Sequence, residues 1–174
     1  MAVIQFEDRI PQIGKGTNIC DSAEVIGDVK IGRDCYIGFG ARLRGDYGEI
    51  VIGERSIIED NCVVHARPDD KCVIGSKVTI GHGAILHNCT IHDYAVIGMG
   101  AIVSDFAEVG EWAVIGEGCV VPNKFIVPPG KITVGVPAKI IAETSDEFKK
   151  LWNYYKDMYV ELGHRYKIGL KRID

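Results

Sequence analysis

The amino-acid sequence predicts an all-β solenoid of six to seven stacked coils, followed by a single C-terminal α-helix. Two observations carry that prediction. From Ile13 an aliphatic residue returns at every sixth position, through Ile19, Val25, Ile31, Ile37 and Leu43, and the beat reappears after each of two short slips. The residue four places after a beat is small or compact, as at Thr17, Ala23, Cys35, Ala41, Cys62, Ala84 and Ala101. A six-residue period held over most of a chain marks stacked coils, in which equivalent side chains form columns.

The elements follow in chain order. After Leu43 a three-residue slip delays the beat to Ile52, Ile58 and Val64, and a four-residue slip then delays it to Ile74, Ile80 and Leu86. One residue is lost, and the register continues at Ile91, Ile97, Val103, Val109, Ile115 and Val121. Three six-residue faces make one triangular coil, so these beats fill six coils, and Val127 with Val134 begins a seventh. Parallel coils about 4.8 Å apart give a prism about 30 Å long. Glycine directly after a beat, as at Gly32, Gly53, Gly81 and Gly110, suits corners where a Cβ would crowd the turn. Pro128-Pro129-Gly130 and Gly135-Val136-Pro137-Ala138-Lys139 break the period and form an exit segment. Thr144 with Glu147 reads as a capping box, Phe148, Leu151, Trp152, Tyr155, Tyr159 and Leu162 keep helical spacing, and Gly163 is expected to end the helix. The chain therefore divides into coils with an exit segment over 1–142 and a helix over 143–174, lying antiparallel along a prism face of its own chain or a neighbour.

Composition removes several functions. The net charge of −4, a pI near 5.7 and no basic run longer than Lys149-Lys150 argue against nucleic acid and anionic membranes as partners. No long apolar run suits a membrane span, and the N-terminus lacks a signal-peptide pattern, so a cytoplasmic protein is expected. The six cysteines include no CxxC pair, and Cys35, Cys62 and Cys119 occupy the compact inward position, where they replace alanine.

The outward column carries the chemistry. Side chains alternate along a strand, so the residue after each beat points away from the core. Leu43 and Val64 lie 21 residues apart and Val64 and Leu86 lie 22 apart; removing slips of three and four leaves one 18-residue coil each time. Arg44, His65 and His87 are thus expected to stack on three successive coils, with His82 near a corner one face earlier than His87. Two outward imidazoles one strand spacing apart can share a metal ion, and a neighbouring prism's His82 would complete a three-ligand set. His92 and His164 read as ordinary surface or packing residues.

Arg44-Gly45-Asp46, His65 in Cys-Val-Val-His, and Gly81-His82-Gly83-Ala84-Ile85-Leu86-His87 together resemble the gamma-class carbonic anhydrase family over essentially the whole chain. The resemblance implies a homotrimer of left-handed prisms with a metal at each subunit boundary. His65 and His87 would come from one chain and His82 from the next, with Arg44 and Asp46 as an ion pair at that boundary. Imidazole ligands suit Zn2+, and also Fe2+ or Co2+. The implied activity is reversible hydration of carbon dioxide to bicarbonate by a metal-bound hydroxide. Catalytic relatives carry Asn and Gln where this chain has Ile57 and Glu59. Glu59 is expected to accept a hydrogen bond from the bound water or act as a base; the alternatives are ligation of the metal and repulsion of bicarbonate. Tyr159 matches a family tyrosine that approaches the metal, while Glu161 replaces an asparagine; Asp69 and Asp70 read as an ordinary turn. The competing functions are a coenzyme A acyltransferase, a metal-dependent acyl-CoA thioesterase, and a non-catalytic structural subunit of the same fold.

Overall fold

Every beat residue from Val25 to Val127 points into the prism and is buried, which is what drives the coils to stack. The computed structural model describes residues 1–173, and over them the chain is a left-handed parallel β-helix of about 7 turns with one helix, Asp146–Gly169. Asp174, the last residue assigned to the helical unit, lies outside the described residues. No helix among the described residues is long and apolar enough to cross a membrane.

Three faces build each coil. The first carries the beginning of Arg42–Ile52, then Val63–His65, Ile85–His87, Ile102–Val103 and Val120–Val121. The second carries the end of Arg42–Ile52, then Lys71–Ile74, Thr90–Ile91, Glu108–Val109 and Ile126–Val127. Asn18–Ile19, Tyr36–Ile37, Ile57–Ile58, Thr79–Ile80, Val96–Ile97 and Val114–Ile115 form the third. All these pairings are parallel, whereas the exit strands Lys131–Val134 and Lys139–Glu143 pair antiparallel. The first slip is a bulge, because Gly27 pairs with Gly45 but Val29 pairs with Ile50, so Asp46 and Tyr47 protrude beside the ladder. The second slip is the turn closed by the Asp70 amide donating to the Arg67 carbonyl at 3.3 Å. Both protrusions fall at the edge between the first and second faces, next to His65.

Four sequence expectations need correction. In the last coil the residue below Ile115 is Thr133, not Val134, and Thr133 is fully buried with its hydroxyl unpaired among the described residues. The helix cap is Ser145, whose hydroxyl accepts from the Phe148 amide at 3.2 Å; Thr144 instead ties its amide and hydroxyl to the Gly130 carbonyl of the exit turn. Gly163 does not end the helix. It lies buried inside it, because a Cβ there would come within 3.2 Å of the Asn18 Cβ, so its smallness lets helix and prism approach. Finally, the buried helical face is centred on Lys156, Val160 and Gly163, while Leu151 and Tyr155 are exposed. The inward stripe contains a lysine and a glycine, which hid it from an apolar pattern.

The helix packs on the third face of its own chain, running back towards the first coil. Lys149 at its start lies over the Trp112 ring, while Lys167 at its end donates to the Gly16 carbonyl at 2.6 Å. Tyr36 and Tyr159 meet edge to face with centroids 5.5 Å apart. Lys156 buries its ammonium beneath the helix, donating to Thr79 Oγ1 at 2.9 Å and to the Ala95 carbonyl at 3.3 Å.

Candidate metal centre

Parallel pairing puts Arg44 opposite His65 and His65 opposite His87, which is the stack that the slip arithmetic requires. Each imidazole of this ladder has one nitrogen held by a carboxylate. His65 Nε2 donates to Asp46 Oδ1 at 2.9 Å, and His87 Nδ1 donates to Asp105 Oδ1. Burial would raise both carboxyls, but hydrogen bonds from His65 and Arg44 to Asp46, and from His87 and Arg67 to Asp105, outweigh it and hold both below the usual range. Ionised carboxylates only accept, so the nitrogens facing them carry the protons.

The other two nitrogens face each other. His65 Nδ1 and His87 Nε2 are 3.2 Å apart, and in neutral rings both present lone pairs. Such a contact is repulsive until a proton or a cation lies between them. Two imidazoles bound to one tetrahedral zinc at 2.0–2.1 Å would hold their nitrogens about 3.3 Å apart. The ladder therefore fits two ligands of a single ion, with the carboxylates fixing tautomer and ring orientation from behind.

His82 stands at the other edge of the first face. The flanking glycines make its turn. A Cβ on Gly81 would lie within 2.8 Å of the Met99 amide nitrogen, and Gly83 has φ +70. The Asp60 amide donates to His82 Nδ1 at 3.3 Å, which leaves the ring proton on Nε2, 3.2 Å from Glu59 Oε2. The same carboxylate oxygen accepts from the His82 backbone amide at 3.1 Å. Glu59 is only 7% exposed, and Tyr159 adds a hydrogen bond to it from the helix. Burial first, then the bond to Glu59, push the Tyr159 phenol upward, so it stays a donor at neutral pH.

One chain thus brings His65 and His87 together, and separately His82, Glu59 and Tyr159, but no hydrogen bond or ion pair joins the two groups among the described residues. No cluster of three metal-capable side chains forms within the chain among those residues. Arg44 and Asp46 do pair, within one chain, and Asp46 spends its second oxygen on His65. Ile57 is fully buried in the seam beneath the helix and offers the centre no polar group. Asp70 supports the turn, accepting from Asn88 Nδ2 at 2.9 Å and the Lys71 amide at 2.8 Å. His92 is exposed, and His164 reaches Asp34 at 3.3 Å near the helix end. The six cysteines are free and buried. Asp105 is the functional side chain that the sequence reading missed. Leu86 registers with Val103 one coil on, and Asp105 follows two residues later, so carrying the column one coil further leads to it.

Between the two groups lies an apolar column. Val63, Ile85 and Ile102 stack on the first face and stay 39%, 42% and 37% exposed. The ladder borders this column on one side and the His82 corner on the other.

Comparison with known proteins agrees with this architecture. The sequence profile of the bacterial transferase hexapeptide (six repeats) family matches residues 10–45, 71–105 and 88–123. A carbonic anhydrase from Geobacillus kaustophilus (strain HTA426) is 39% identical over 166 residues, covering 95% of this chain and 91% of the relative. Gamma carbonic anhydrase 2, mitochondrial, from Arabidopsis thaliana is 37% identical over 80% of this chain, which spans 52% of that longer protein. Among solved structures, a hexapeptide transferase family protein from Anaplasma phagocytophilum superposes with TM-score 0.88 at 35% identity, over 95% of this chain and 98% of that one.

Proposed function

The chain belongs to the gamma-class carbonic anhydrase family of hexapeptide-repeat proteins, and on that premise we infer that it is a metal-dependent enzyme interconverting carbon dioxide and bicarbonate at a boundary between subunits. The observation that carries this reading is the pair of facing imidazole nitrogens 3.2 Å apart, each ring held from behind by an ionised carboxylate. His65 and His87 of one subunit would hold the cation together with His82 of the next. With Zn2+, Fe2+ or Co2+ held by these residues, the chemistry supplied would be activation of water at neutral pH.

The chain's own residues account for the rest. Asp46 and Asp105 keep the inner nitrogens of the ladder unprotonated and fix the ring planes. Asp46 also binds Arg44, so ladder and boundary share one carboxylate. The apolar column of Val63, Ile85 and Ile102 needs a cover, and a second copy supplies one while excluding water from the centre. The two edges of that face are unlike. A contact joining one edge to the other edge of the next copy is head-to-tail, and such contacts close into a ring when the rotation between copies divides a full turn. A triangular prism, by family resemblance, closes as a homotrimer with three such centres. Tyr159, kept protonated and bonded to Glu59, acts as a positioning residue for that carboxylate.

The acyltransferase reading draws on the Anaplasma relative's family name and on the shared scaffold. Full-length protein purified without oxygen, metal-replete and assayed in parallel with carbon dioxide and acetyl-CoA, separates the two. Hydration above background, abolished in His82→Ala, is expected. Full metal occupancy with no hydration above background would overturn the reading.

A further inference from the structure

Glu59 is a carboxylate placed where a carboxylate is costly. It is 7% exposed, and its ion-pair partner among the described residues is His82. A buried carboxylate needs partners for its oxygens. The Asp60 amide donates to His82 Nδ1 at 3.3 Å, so Nε2 is the ring nitrogen that faces Glu59 Oε2, at 3.2 Å. Two further donors, the His82 backbone amide at 3.1 Å and the Tyr159 phenol, fix the carboxylate's orientation. The chain has buried a carboxylate and oriented one of its oxygens beside the imidazole nitrogen.

The spacing says which cation. Glu59 Oε2 lies 3.2 Å from His82 Nε2, the same separation found between His65 Nδ1 and His87 Nε2. A nitrogen and a carboxylate oxygen on one tetrahedral zinc, each at about 2.0–2.2 Å, lie about 3.3 Å apart. Each edge of the first face therefore presents two donor atoms at ligand-to-ligand distance.

We propose that Glu59 is a fourth protein donor to the shared divalent cation, given with His82 by one subunit to the ion that His65 and His87 of the neighbouring copy hold. This rests on the boundary metal centre and extends it. His82 would offer Nε2 and Glu59 would offer Oε2, so a carboxylate would join three imidazoles around the cation. A fourth protein donor leaves less room for water at the ion. The result is a centre that holds metal tightly and turns over slowly, whereas a neutral amide at this position would do the reverse.

The test uses full-length protein, stripped of metal and reloaded with Co2+ in the absence of oxygen. Glu59→Gln keeps the shape and the acceptor for Tyr159 while removing the charge; Glu59→Asp keeps the charge and shortens the reach. Cobalt affinity by competition with a chelator, and the visible absorption of bound cobalt, are read for each. The expected result is at least about a 10-fold weaker cobalt affinity in Glu59→Gln with an altered absorption band, an intermediate value in Glu59→Asp, and faster hydration per bound cobalt in Glu59→Gln. Unchanged affinity and band in Glu59→Gln would overturn the fourth donor while leaving the three-histidine centre standing. Failure of the wild type to bind cobalt, or binding in His82→Ala equal to wild type, would overturn the shared centre itself and the fourth donor with it.

Discussion

The ladder and the corner reach the same 3.2 Å donor spacing by different physics. His65 and His87 are neighbours because adjacent coils are hydrogen-bonded in register, and their carboxylates come from the bulge at Asp46 and from Asp105 one coil on. Nothing outside the prism is needed. His82 and Glu59 also sit on adjacent coils, but Glu59 is steadied by Tyr159, which belongs to the helix. The ladder is fixed by the solenoid alone, whereas the corner depends on how the helix docks. Disturbing the helix should reach one half of the centre and spare the other.

The largest effect breaks the two halves apart. His82→Ala, and the double variant His65→Ala with His87→Ala, should each lose the boundary metal completely. Mixed by dissociation and reassembly in equal amounts, they should recover roughly one site in four, because random assembly places an intact ladder against an intact corner that often. Metal stoichiometry on the reassembled protein reads the outcome. No recovery would mean that the halves do not belong to one head-to-tail boundary.

Next come the groups behind the ligands. Asp46→Asn or Asp105→Asn should weaken metal binding about 10–100-fold, since each frees a ring whose tautomer it fixed. Asp46→Asn should also promote dissociation on dilution, because it releases Arg44 as well as His65. Asp105→Asn should leave assembly unchanged, and equal dissociation of both variants in sedimentation would remove that distinction.

What could be read from sequence divides along the same line. The ladder was legible because strict period and slip length determine which residues face each other, and nothing but backbone register intervenes. Asp105 was legible too, had the column been carried one coil past Leu86 to Val103 and the two residues after it. The corner was not. His82 could be assigned to a corner, but its tie to Glu59 and the reach of Tyr159 depend on helix docking, which local periodicity does not specify. The helix misled further because Lys156 and Gly163 occupy its buried stripe, while Leu151 and Tyr155 face outward. Thr144 and Ser145 are adjacent and both can cap, and only the exit turn, by taking Thr144, decides between them.

Lys156 makes the docking of the helix, on which the corner depends, sensitive to alkaline pH. Burial, with the charge of Lys77 beside it, brings its ammonium down from 10.5 to about 7. The unfolded chain keeps that proton up to about 10.4, so between these values the unfolded state binds more protons and stability rises with pH. Below about 7 both states are protonated and the burial cost is present in full. Lys156→Met should therefore melt higher than wild type at pH 7, by on the order of 2 kcal/mol, and the gap should close as pH approaches 10. A gap independent of pH would show that Lys156 is charged throughout.

Gly163→Ala should have the smallest effect, and its sign measures how tightly the helix is docked. Alanine gains about 1 kcal/mol of helical preference over glycine. Against that, its Cβ would lie 3.2 Å from the Asn18 Cβ and 3.6 Å from Tyr36 Cδ2, closer than the first contact tolerates without movement. Asn18 is buried and lies 3.6 Å from the Cys20 sulfur, so it has little room to yield, and the helix must lift instead. The two terms nearly cancel in overall stability, within about 1 kcal/mol, but they do not cancel in position. Lifting the helix at Gly163 draws Tyr159, one turn earlier, away from Glu59. Gly163→Ala should therefore loosen metal binding by the corner several-fold with the melting midpoint almost unchanged, while the ladder keeps its contacts. A change in melting with no change in metal affinity would show that the corner stands without the helix.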